Sequence, residues 1–141
     1  MNQLVPYITY NSNAEEAMNF YKSIFGGEII ELSRFEDAPP MDGVEFTDDQ
    51  KKLVMHATYK VNESIVIMVS DTHPAFGGYE PGNNITLSVG TESKAETTKY
   101  FNGVAEGGKI TMPLEETFWN AYFGMATDKF GVNWMFNFDL N

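Results

Sequence analysis

The chain has 141 residues, no cysteine, a net charge of −11 at neutral pH and a pI near 4.4. No cluster of Lys and Arg offsets that charge, so a phosphate backbone is repelled and nucleic acid is excluded as a partner. Seven tyrosines, eleven phenylalanines and an apolar fraction of 43% exclude a disordered chain, and the missing cysteines exclude disulfides, thiolate metal sites and a thiol nucleophile.

The length suits a single domain. The N-terminus, Met1 to Pro6, has neither the basic region nor the apolar core of a secretory signal. Nowhere does an apolar run approach the roughly eighteen residues of a membrane span. A soluble, cytoplasmic protein with no membrane partner is expected.

In chain order, Leu4 to Tyr10 is β-branched and aromatic and reads as a strand, with Pro6 restricting it to a strand start or a sheet edge. Ser12 and Glu15 have the spacing of a capping box. The apolar positions Ala14, Ala17, Met18, Tyr21, Ile24 and Phe25 then form a helical stripe that Gly26-Gly27 stops. Glu28 to Phe35 is a second strand, and Glu36 to Lys52, with Pro39-Pro40 and Gly43, is a loop. Leu53 to Lys60 and Ser64 to Ser70 are strands joined by a short turn, and a Gly/Pro-rich connection runs from Asp71 to Asn84.

The pattern then starts again. Ile85 to Val89 repeats the opening strand, Ser93 to Ala105 repeats the helix, and Gly107-Gly108 repeats Gly26-Gly27 at an offset of about 80 residues. Two aromatic runs follow, Phe118 to Gly124 and Val132 to Asn137, joined through Asp128-Lys129-Phe130-Gly131, which reads as a hairpin. Asn120, Tyr122, Asn133 and Asn137 are interleaved among its rings, a mixture that suits a small-molecule pocket. The chain thus holds two β-α-β-β-β modules, about 1–72 and 83–141, each helix covering one face of a mixed sheet.

Strand parity assigns the faces. Met55, Ala57 and Tyr59 oppose His56, Thr58 and Lys60; Ile85, Leu87 and Val89 oppose Asn84, Thr86 and Ser88; Val132, Trp134 and Phe136 oppose Asn133, Met135 and Asn137. Each of the three strands has an apolar face for a helix and a polar face, which lines a cup if the sheet curls.

Asn13 to Ala17 with Phe20-Tyr21, Phe25-Gly26-Gly27, Met55-His56-Ala57, Gly107-Gly108-Lys109, Phe118-Trp119 and Asp128 to Trp134 together resemble the vicinal-oxygen-chelate superfamily of glyoxalase, bleomycin-resistance and dioxygenase proteins, and within it the PhnB-like branch. The resemblance covers nearly the whole chain. It implies an α+β fold in which the two βαβββ modules form curled mixed sheets with a cup-shaped pocket, a single glyoxalase-like domain, often a homodimer. It also implies four metal-ligand positions, which fall here on Pro6, His56, Asn84 and Met135. Only His56 is a good ligand among them, so no cofactor is expected and a divalent metal is a minor alternative.

The expected ligand-binding residues are His56, Thr58, Asn84, Thr86, Ser88, Trp119, Tyr122, Asn137 and Arg34. His56 can meet an acid or a carbonyl, Thr58, Asn84, Thr86 and Ser88 supply uncharged donors and acceptors, Trp119 and Tyr122 are stacking walls, and Arg34 can grip an anion or pair with a nearby acid. His73 reads as a surface histidine and Trp134 as core. Glu115 and Glu116 are adjacent and point apart, so they are no acid/base couple. Relatives in the branch carry a demethylubiquinone methyltransferase name, but no Gly-x-Gly occurs here for a nucleotide-type loop. The function expected is binding of a small organic molecule in the sheet cup without a metal, the alternative a metal-dependent lyase, isomerase or dioxygenase.

Overall fold

A computed structural model describes all of residues 1–141. The backbone divides into two compact units, Met1–Glu80 and Pro81–Asn141.

The first unit runs β1 (Tyr7–Tyr10), α1 (Ala14–Phe25), β2 (Glu28–Arg34), a 3-10 turn at Phe35–Asp37, the single helical turn α2 (Asp48–Lys51), β3 (Val54–Asn62) and β4 (Ile65–Asp71). Its sheet has the order β1-β4-β3-β2, with β1 parallel to β4 and the other pairs antiparallel. The apolar stripe of α1 packs on β3 and β4, and Ala14, Ala17, Met18 and Tyr21 lose all exposure. Burying such side chains stabilises by about 1.5–3 kcal/mol for each large one. The buried phenols are satisfied: the Tyr10 and Tyr21 hydroxyls meet at 2.8 Å, and Tyr59 donates to the Gly26 carbonyl at 2.6 Å.

The second unit runs β5 (Leu87–Gly90), α3 (Lys94–Ala105), β6 (Lys109–Glu116), β7 (Ala121–Thr127) and β8 (Asn133–Asp139), with sheet order β5-β8-β7-β6. Helix α3 lies against β6, β7 and β8 over a core of Phe101, Val104, Ala126, Trp134 and Phe136. The fold is therefore α+β, the same strand order built twice, each sheet mixed and carrying one long helix on one face. The repeated glycines have a physical cause. A Cβ at Gly27 would collide with the Lys60 carbonyl and the Val61 backbone, and one at Gly108 with the Thr127 carbonyl and the Asp128 backbone.

Several expectations are corrected. Helix α1 has Asn13 at its N-cap with no side-chain cap bond, and the Ser12 capping box does not form. Instead Asp71, at the far end of β4, accepts from the Ala14 N–H and the Val54 N–H, both at 2.9 Å. The capping signature appears in the other copy, where Ser93 Oγ accepts from the Glu96 N–H at 3.0 Å. A register shift between Ser33–His56 and Arg34–Val54 makes Val54, not Met55, the buried partner of Ala57 and Tyr59. The repeated strand begins at Leu87, so Asn84 and Thr86 precede it and Ile85 is 75% exposed. His73 is not a surface residue. It is buried among Phe35, Phe46 and Phe76, accepts from the Ala75 N–H through Nδ1 and donates to the Glu45 carbonyl through Nε2.

Candidate functional site on the uncovered sheet faces

Because each sheet carries its helix on one side, its other face is where side chains remain available. In the first unit that face is read from the register. Tyr7 opposes Met68, Met68 opposes Thr58 and Thr58 opposes Glu31, which places the four in one row. The next row holds Thr9 opposite Ser70 and His56 opposite Ser33.

His56 sits between two hydroxyls. Tyr7 Oη is 3.3 Å from Nδ1, with the rings stacked at 5.6 Å, and Thr58 Oγ1 is 3.5 Å from Nε2. Both contacts are long for a hydrogen bond to a hydroxyl, so the imidazole is oriented but not saturated. Thr58 itself is buried, which makes it a support for His56 more than a surface for a ligand.

Arg34 is elsewhere. Its guanidinium grips Glu15 of α1 with two contacts of 3.1 Å and donates to the Lys52 carbonyl at 2.7 Å, so it serves the helix side. The Glu15 carboxylate holds the guanidinium proton more firmly still. The Asp71 carboxyl is pushed above the ordinary aspartate range by burial, against the pull of the Val54 and Ala14 N–H groups.

In the second unit Ser88 opposes Met135, Met135 opposes Met125 and Met125 opposes Met112, one row across four strands. The row beside it is Gly90, Asn137, Phe123 and Glu115. Ser88 and Asn137 therefore share this uncovered face. Trp119 lies in the turn between β6 and β7, half-exposed, and its ring meets that of Phe123 edge-on at 5.8 Å. Tyr122 falls on the opposite parity. Its hydroxyl is 3.1 Å from Thr98 Oγ1 of α3 and Lys94 Nζ lies 5.0 Å from its ring centre, so it packs on the helix side. Asn84 is exposed and Thr86 half-buried ahead of β5, a segment tied to β8 by Asn133 Nδ2 donating to the Ile85 carbonyl at 3.4 Å. Met135 is on the polar face that the sequence assigns to its strand, whereas Tyr7, Met112 and Met125 are not among the residues that the sequence singles out. Period-two parity extended to β1 and β7 is the signal that finds Tyr7 and Met125, while two register shifts in β6 break the alternation around Met112.

The donors do not suit a divalent metal. Pro6 offers no side-chain atom, Asn84 lies outside the strand, Met135 offers a thioether, and no group of three or more His, Cys, Asp or Glu side chains is placed to hold an ion. No helix is long and apolar enough to cross a membrane.

Two mixed four-stranded sheets of this order define a glyoxalase/bleomycin-resistance fold. A glyoxalase-related enzyme from Fulvimarina pelagi shares it at 16% identity and a TM-score of 0.63, with 99% of this chain and 89% of that one covered. Residues 2–136 match the family described as 3-demethylubiquinone-9 3-methyltransferase, and the chain belongs to that family, the PhnB-like branch of the vicinal-oxygen-chelate superfamily. It is similar to protein YjdN of Escherichia coli, 32% identical over 95% of this chain and 93% of that one. It is also similar to protein PA1353 of Pseudomonas aeruginosa, 41% identical with a TM-score of 0.85 and both chains fully covered. The PhnB protein of Bacillus cereus is 28% identical with a TM-score of 0.78, over 97% of this chain and 99% of that one.

Proposed function

We propose that this PhnB-like chain binds a small organic molecule on its uncovered sheet faces, without a metal, and that the two units act as modules of one glyoxalase-like domain. The observation that carries the reading is His56, oriented by Tyr7 and Thr58 on a face that no helix covers, with the hydroxyls of Thr9, Ser33 and Ser70 around it. An imidazole held this loosely can turn to donate to a ligand carbonyl or accept from a ligand hydroxyl. Hydroxyls make up most of the polar groups around it, with Met68 and Glu31 in the neighbouring row, a mixture of uncharged, apolar and charged groups that a small-molecule site can use.

Methyl transfer, the activity in the family's description, is not part of this reading. The chain has two mixed sheets and no Gly-x-Gly turn between a strand and a helix. The same reading includes a cytoplasmic homodimer, tested by sedimentation at micromolar concentration.

The test of the binding reading is a fragment screen by ligand-observed NMR, with each hit measured by calorimetry on wild type and His56→Ala. A hit weakened about tenfold or more in the variant, whose fold is unchanged by circular dichroism, supports the site; that corresponds to the loss of one or two hydrogen bonds. A screen with no hit at millimolar fragment, or hits indifferent to the variant, refutes it.

A further inference from the structure

The uncovered face of the second sheet has a chemistry of its own. Met112, Met125 and Met135 stand side by side on β6, β7 and β8, each a direct register partner of the next. Thioether side chains have three rotatable bonds and a polarizable sulfur, so a row of them shapes itself to a flat ring and makes favourable sulfur–aromatic contacts.

The aromatic groups beside this row are held ready. Phe123 occupies the neighbouring row, Trp119 meets it edge-on at 5.8 Å, and Phe118 meets Trp119 at 4.9 Å. The turn that carries Trp119 is braced. The Thr117 N–H donates to the Ala121 carbonyl at 2.8 Å, the Asn120 N–H to the Thr117 carbonyl at 3.3 Å, and the Leu140 N–H to the Asn120 carbonyl at 2.9 Å. Asn120 takes a φ of +61° there, a conformation asparagine tolerates. A turn braced in this way gives up little backbone freedom when a ligand arrives.

Charge selects the class of ring. Glu115 opposes Phe123 in the same row, is exposed and takes part in no ion pair, whereas its neighbour Glu116 is held by Lys94 at 2.6 Å. Lys109 lies at the other end of the face, opposite Thr127. The whole chain carries −11, which draws cations in, and the faces of Phe123 and Trp119 favour a cation as well.

We propose that the uncovered face of the second sheet binds the planar ring system of an aromatic cation, the ring on Met112, Met125 and Met135 against Trp119 and Phe123, its charge toward Glu115. This rests on the small-molecule reading above and names the ligand class for the second unit. Asn137, in the row of Phe123, supplies an amide for a ring substituent.

The test uses the full chain with isotope-labelled methionine methyls, assigned by single Met→Leu variants. Three probes are titrated: proflavine, a planar cation; amantadine, a cation with no ring plane; and anthracene carboxylate, a planar anion. The expected result is that proflavine moves the methyls of Met112, Met125 and Met135 upfield by ring currents and leaves Met68 unmoved, while the other two probes leave all four in place. Trp119→Leu, a change at a half-exposed turn residue, weakens proflavine about tenfold. The proposal is overturned if the three methyls do not move, or if amantadine or anthracene carboxylate moves them equally. A ligand that moves Met68 alone sits on the His56 face, which refutes this inference and leaves the small-molecule reading standing.

Discussion

Register for register, the two sheets are the same object with different uncovered faces. Tyr7, Met68, Thr58 and Glu31 of the first stand where Ser88, Met135, Met125 and Met112 stand in the second, and His56 stands where Phe123 stands. One face is imidazole and hydroxyl; the other is thioether and phenyl. Behind them the copies keep what folds them, a helix on one side of the sheet and a glycine pressed on the backbone at the end of β3 or β7. Packing constrains the covered face, while the uncovered face is free to differ, and that is where chemistry is placed on a fold.

The largest effects are expected where the two copies solve one problem differently. Each unit buries a carboxylate that satisfies backbone N–H groups. Asp71 accepts from Ala14 and Val54, and Asp128 accepts from Phe130, Val132 and the Trp134 indole at 2.9–3.0 Å. Either Asp→Ala change strands two or three buried donors and costs about 3 kcal/mol or more, read from the denaturant midpoint. A loss under about 1 kcal/mol at either site breaks the comparison.

Next come the paired glycines. Gly27→Ala forces both a collision and a residue with φ of +78°, so it costs about 2 kcal/mol or more. Gly26→Ala, with φ of +77° and open space around the new methyl, costs about 1 kcal/mol. Equal midpoints for the two variants would show that the close approach contributes nothing.

These contrasts also show what the sequence makes legible. The stripe of α1 and the Asp128 to Gly131 turn carry local signals: helical spacing in one, and in the other an aspartate two residues before the N–H it binds, with Gly131 at φ of +89°. Trp134 reads as core from strand parity and is buried. The cap of α1 is not legible, because its acceptor is 57 residues away on β4. A one-residue register shift, invisible in composition, moves burial from Met55 to Val54. Of the candidate site residues, His56, Thr58, Ser88 and Asn137 fall on uncovered faces by parity alone. Arg34 and Tyr122 turn to the helix side, because Glu15 and Thr98 offer partners that only the fold brings near.

A pH series sharpens the carboxylate comparison. The Asp71 carboxyl is raised in the folded state, so the stability tied to its titration is fully present below the unfolded value near 3.8 and is lost as pH rises through the raised folded value. Wild type should therefore lose stability relative to Asp71→Asn across that window and run parallel to it above. The opposite slope would show that the backbone N–H groups outweigh burial.

The smallest effect is at Arg34. Its contact with Glu15 is partly exposed, and Arg34→Ala should cost about 0.5 kcal/mol and leave ligand affinity on the His56 face unchanged.

The measurement that tests the central claim most directly is calorimetry of a screening hit on chelator-treated protein, repeated after adding zinc, manganese, nickel or ferrous ion. The account predicts the same affinity in every case, and the same loss on His56→Ala. Binding that appears only with metal, and vanishes with His56, would contradict it.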